Sequence, residues 1–126
     1  MSDINYSFNV ALSKPPLVQN FAASGVTADM TATGLFSVTP TLGTAVTQIS
    51  TATLASVGLC LARNLSTSTS TSTTVSFGRY IPAATALYET VTLRPGEAAL
   101  LRLSAGSYAA KAAAEGTPLL LQILEG

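Results

Sequence analysis

Few residues of this chain can do chemistry, and their spacing limits what that chemistry would be. Glu89 and Glu97 lie on either side of Pro95-Gly96. Paired carboxylates across a turn are what glycoside hydrolysis would need, one as acid and one as base or nucleophile. Centred on Pro95-Gly96, however, the two stand at unequal distances from the turn and are not direct partners. The chain also has no tryptophan to form a sugar platform. Exposed strand charges are the better reading of both glutamates. There is no histidine, which removes Ser-His-Asp and Cys-His systems and the commonest zinc ligand. Cys60 is the single cysteine, so no internal disulfide and no thiolate cluster can form. Asp3 and Asp29 stand alone, without the carboxylate spacing of a calcium loop. The glycines are scattered and no Gly-Lys-Ser/Thr occurs, so a phosphate loop is missing. The expectation is no catalytic residue, no metal and no cofactor.

Composition points away from several partners as well. Six basic and six acidic residues give zero net charge, and no basic stripe exists to neutralise nucleic-acid phosphates. Charged residues make up 10%, against roughly 25% in an average domain. So neutral a surface has little electrostatic protection against association, which favours a chain packed against copies of itself or a partner. The N-terminus, Met1-Ser-Asp-Ile-Asn5, has no secretory pattern, and no apolar run approaches a membrane helix. No membrane partner is expected. Cys60 lies in the apolar run Val57-Gly-Leu-Cys-Leu61, where a buried thiol acts as a small hydrophobe, and one cysteine fits folding in a reducing cytoplasm.

The elements that would position these groups read as strands. Ile4, Tyr6, Phe8, Val10 and Leu12 share one face of an alternating stretch and Asp3, Asn5, Ser7 and Asn9 the other, the period of a half-buried strand. Lys14-Pro15-Pro16 ends it, leaving an N-terminal strand or arm at about 1–13. Alternation returns from Val26 to Ala32, and Leu35 to Val38 follows the turn at Gly34. Thr39 to Gly43 reads as a loop, 44–50 as a β-branched strand, and Leu54 to Leu65 as a central apolar strand. Ser66 to Thr74 holds only serine and threonine, which predicts an exposed, mobile hairpin loop. Val75 to Tyr80 resumes as a strand, Ile81 to Thr85 turns, and Ala86–Leu93, Arg94-Pro-Gly-Glu97 and Ala98–Leu103 read as a hairpin. The alanines of 107–115 favour helix by propensity; their place between strand candidates and their small size favour strand, the reading adopted. Leu119 to Leu124 closes the chain. About eight or nine short strands in one domain, 1–126, predict an all-β antiparallel sandwich, a jelly roll or related Greek key.

Interfaces are the remaining place for function. Tyr80, Tyr88 and Tyr108 bring large area with a polar tip, although burial in their own core is equally ordinary near strand ends. Arg94 and Glu97 flank the turn and either support it or contact a neighbouring subunit. Ile4, Tyr6 and Phe8 form the apolar side of the N-terminal strand.

Several strings carry a family resemblance. These are Ala28-Asp-Met-Thr-Ala-Thr-Gly34, Arg63-Asn-Leu65, Val75-Ser-Phe-Gly-Arg-Tyr80, Leu93-Arg-Pro-Gly-Glu-Ala-Ala-Leu-Leu-Arg-Leu103, Tyr108-Ala-Ala-Lys-Ala112 and Leu119 to Glu125. Together the chain resembles small β-sandwich structural proteins of tailed bacteriophages. The Ser66–Thr74 run is longer than the connection expected in that family. The resemblance implies a virion protein without enzymatic activity, made in the host cytoplasm and carried on the capsid surface or tail. A capsid decoration or cement subunit is the first expectation, bridging neighbouring major capsid subunits through the arm around Ile4 to Val10 or through a strand edge. A tail, fibre or head-fibre module for host attachment is the alternative. Partners would be copies of itself, as a trimer by analogy, and the major capsid protein or another virion protein.

Overall fold

The alternation from Ile4 to Leu12 yields strand β1 (Ile4–Lys14) in the computed structural model, which describes residues 2–69 and 73–126. Pro15-Pro16 does not end the element there. It turns the chain into β2 (Leu17–Ala28), which pairs antiparallel with β1 from Lys14↔Leu17 to Ile4↔Ala28. A bulge between Tyr6 and Phe8 places the extra residue on β2, and Gly25 takes φ 65 there, a conformation open to glycine at little cost. Residues 17–25 were not expected as strand, because Gln19 and Asn20 blur their alternation. The N-terminal element is therefore a long hairpin. Residues 1–31 form one compact unit and 32–126 a second.

The second unit contains β3 (Leu35–Val38), β4 (Thr41–Leu42), β5 (Thr47–Ile49), β6 (Leu59–Asn64), β7 (Val75–Ile81), β8 (Ala86–Leu93), β9 (Ala98–Arg102), β10 (Tyr108–Ala112) and β11 (Thr117–Leu124). One sheet runs β5-β10-β7-β8; the other runs β3-β11-β6-β9, with β4 also on β11. All pairs are antiparallel. Two four-stranded paths, filled by strands that cross repeatedly between sheets, make the unit a jelly-roll β-sandwich.

Register fixes what faces inward. Ala110, Phe77 and Val91 align across one sheet; Phe36, Ile123, Cys60 and Leu101 align across the other. All belong to one hydrophobic cluster. The completely buried Leu119, Leu121 and Ile123 each contribute about 1.5–3 kcal/mol of apolar burial, an upper bound. Residues 108–112 are strand despite their alanines. β10 lies between β5 and β7, and small buried side chains let it pack there, so tertiary pairing overrides helix propensity.

Four expectations are corrected here. β8 and β9 are not a hairpin, since β8 pairs with β7 and β9 with β6. Gly96 takes φ 81 and Glu97 N–H donates to Arg94 O at 3.0 Å. Positive φ after proline marks a type II turn, which splays strands instead of pairing them. Asn64 holds that turn from the other sheet, donating its N–H to Glu97 O and accepting from Gly96 N–H. The Ser66–Thr74 run likewise joins different sheets, β6 to β7, and is no hairpin; Ser70 to Ser72 lie outside the described residues. The strand expected over Leu54–Leu65 is confined to Leu59–Asn64, and that over 44–50 to Thr47–Ile49.

Two polar anchors tie the connections down. Asn64 is wholly buried; its Nδ2 donates to Thr73 O and Leu93 O, and its Oδ1 accepts from Ser66 N–H. It thus holds the Ser/Thr run near both ends. Glu125 accepts from Gly34 N–H at 2.9 Å and Ala55 N–H at 2.6 Å, satisfying donors that would otherwise lose their water.

Candidate interaction surfaces

The groups that could do chemistry are each engaged separately. Glu89 on β8 is half exposed and pairs with Lys111 on β10, Oε1 to Nζ 3.2 Å. Glu97 sits in the β8–β9 turn, where its carboxylate accepts Arg94 N–H at 2.7 Å. The side chain of Glu97 therefore closes the turn that its own backbone N–H also bridges. Both behave as the strand and turn charges expected of them. Burial leaves the Cys60 thiol completely covered and pushes its pKa up to about 12, so it remains a protonated apolar group. Glu115 accepts from both the N–H and the hydroxyl of Thr44, which holds its carboxyl below the usual range. Among the described residues no three of Cys, Asp and Glu stand close enough to share a metal ion.

The tyrosines separate. Tyr108 is core, 4% exposed, stacked on Phe77 with ring centroids 5.7 Å apart. Its hydroxyl donates to Ser104 O, and the Arg79 guanidinium lies 5.5 Å above its ring. Arg79 also donates to Ala105 O, so this group staples the β9–β10 loop. Tyr80 is half-buried, facing Leu87 across the β7–β8 ladder. Tyr88 is 67% exposed and remains available to a partner.

Two surfaces stand out from the rest by being apolar and uncovered. The first is one face of the β1–β2 hairpin. Cross-strand partners share a face, so Ile4, Tyr6, Phe8, Val10 and Leu12 lie with Ala28, Val26, Ala23, Phe21 and Gln19. Phe8, Val10 and Phe21 are each a little over half exposed. The opposite face carries Asn5, Asn9, Ser13, Asn20 and Thr27 together with Ala11, Ala22 and the exposed Val18. The strand expected to be half-buried is thus open on its apolar side.

The second is the outer face of the β3-β11-β6-β9 sheet. Leu61 aligns with Leu100 and Gln122, Leu124 with Leu35, and Leu120 with Arg63. Leu35 and Leu100 are exposed; Leu61, Leu120 and Leu124 are half-buried. No alternation signal marked this surface, because β11 reads as an apolar run from Leu119 to Leu124 interrupted at Gln122 alone. Its signal was the excess itself: Leu119 to Leu124 has too many apolar residues for a strand with one wet face.

No family model, curated protein or solved structure matches this chain. A functional reading accordingly rests on these surfaces and on the residue strings described above.

Proposed function

We propose that this chain is a non-enzymatic structural protein of a tailed-phage particle, a decoration or cement subunit that bridges major capsid subunits on the shell. The observation that carries the reading is the pair of open apolar sheet faces, on the hairpin and on the outer side of the jelly roll. Exposed apolar patches of this kind mark protein contacts. The carboxylates work as turn ties and one ion pair, and the thiol is sealed in the core. A module built this way folds by its own core and keeps neutral apolar surface for an assembly.

The mechanism is mechanical. Contact made only in the assembled shell stabilises that shell by linkage. Shells assembled without this protein then melt at lower temperature than complete shells, and adding the purified protein restores the difference. Equal melting temperatures with and without it overturn the reading.

A further inference from the structure

We propose that the apolar face of the β1–β2 hairpin packs against the same face of a second copy of this chain, about a two-fold axis running along the strands. The inference stands on the hairpin; it occupies one of the two apolar faces and leaves the outer face of the β3-β11-β6-β9 sheet for the shell.

A two-stranded sheet has no second layer of its own, and an isolated hairpin is marginal in water. Here one face is mostly polar, with Val18 its one large apolar side chain, and the other holds Phe8, Val10, Leu12, Leu17 and Phe21, all exposed. The only charge on that face is Lys14, at the turn end opposite Leu17. Nothing on it demands a partner of opposite charge, which suits a copy of itself.

The register supplies the second argument. In four of the six cross-strand pairs of this face the longer side chain is on β1, at Ile4↔Ala28, Tyr6↔Val26, Phe8↔Ala23 and Lys14↔Leu17, while Val10↔Phe21 and Leu12↔Gln19 reverse the order. A two-fold axis along the strands exchanges β1 and β2 across the contact. It lays Phe8 of one copy over Ala23 of the other and Phe21 over Val10, so large meets small in both directions. Face-to-face sheets about 10 Å apart need this interdigitation. Isologous contacts require each patch to complement itself, and this one does.

The extent is adequate. Eleven residues at about 3.4 Å each make a face roughly 37 Å long. Two such faces cover on the order of 1,200 Å² in total, the lower end of specific interfaces.

The test is sedimentation of the full chain across a concentration series. The wild type is expected to dimerise reversibly. Phe21→Asp places a charge in the middle of the face and weakens association by about thirtyfold or more. Asn20→Asp adds the same charge on the opposite face and leaves association unchanged. Val10→Thr, which keeps the shape, weakens it less than Phe21→Asp and guards against a variant that misfolds. Register is read by mixing Phe8→Cys protein with Ala23→Cys protein and adding a short bis-maleimide able to span the gap between the sheets. A mixed cross-linked dimer, in excess over either homodimer, is expected. A monomer at all concentrations, a trimer, equal weakening by Phe21→Asp and Asn20→Asp, or no mixed cross-link each overturn the proposal.

Discussion

The hairpin of residues 1–31 and the jelly roll of residues 32–126 are written in the same alternating pattern and end in opposite conditions. Ile4, Tyr6, Phe8, Val10 and Leu12 recur at every second residue, as the inward-facing Leu119, Leu121 and Ile123 do. Yet Leu121 is wholly buried, whereas Phe8 is 53% exposed. In the jelly roll, the inward face of each sheet is covered by the other, and a single cluster from Leu42 to Ile123 results. Residues of the hairpin face have no comparable cover. Alternation defines a face; a second layer decides whether it becomes core or contact surface. Stability is therefore assigned to the jelly roll, and the proposed self-association to the hairpin.

Substitutions in the two regions should separate along that line. The largest expected effect is at Phe77, stacked on Tyr108 in the core. Phe77→Ala should cost about 4 kcal/mol, read by urea unfolding. Gly78→Ala comes next. A Cβ there would lie 1.9 Å from the backbone oxygen of Tyr88, at the register shift between Phe77 and Gly78. Backbone must move, at about 3 kcal/mol, and a variant as stable as wild type would contradict the close approach. Asn64→Ala removes the ties to Thr73, Leu93 and Ser66 and should cost about 2 kcal/mol. Proteolysis within the Ser/Thr run should quicken in parallel.

Much of this division was legible in the residues, for physical reasons that differ by site. β1, β7 and β11 showed themselves through period-two alternation or a sustained apolar run. The sandwich followed from the number and spacing of such segments. β10 was legible only by context, since Tyr108 to Ala112 satisfies helix propensity until its neighbours pack against it. The hairpin drawn through Pro95-Gly96 failed because a type II turn gives a reversal without a ladder, and its strands were captured by β6 and β7. The second half of the N-terminal hairpin was hidden by Gln19 and Asn20. The exposed state of the Phe8 face was not legible at all, because cover is a property of the partner layer. Among the candidate contact residues, Phe8 and Tyr88 are on the surface, while Tyr108 went to the core because its ring completes the stack on Phe77.

Smaller effects sharpen the comparison. Phe21→Asp should leave the unfolding of the jelly roll within about 0.5 kcal/mol of wild type while its self-association weakens by about thirtyfold or more. A large loss of stability would merge the two regions and contradict the division. Smallest is the pH dependence of Glu115. Its folded pKa is lowered by Thr44, so the contact stabilises above the ordinary carboxylate range and is lost as pH falls through the folded value. The melting-temperature gap between wild type and Glu115→Gln should be present at neutral pH and close in acid. A gap that widens in acid would contradict the assignment.

The most direct test of the central claim is co-sedimentation of purified protein with phage shells depleted of it, with occupancy counted against the major capsid protein. The account predicts saturable binding at a fixed ratio, with the symmetry of the sites given by that ratio. A folded protein that leaves intact shells bare at every concentration would contradict it.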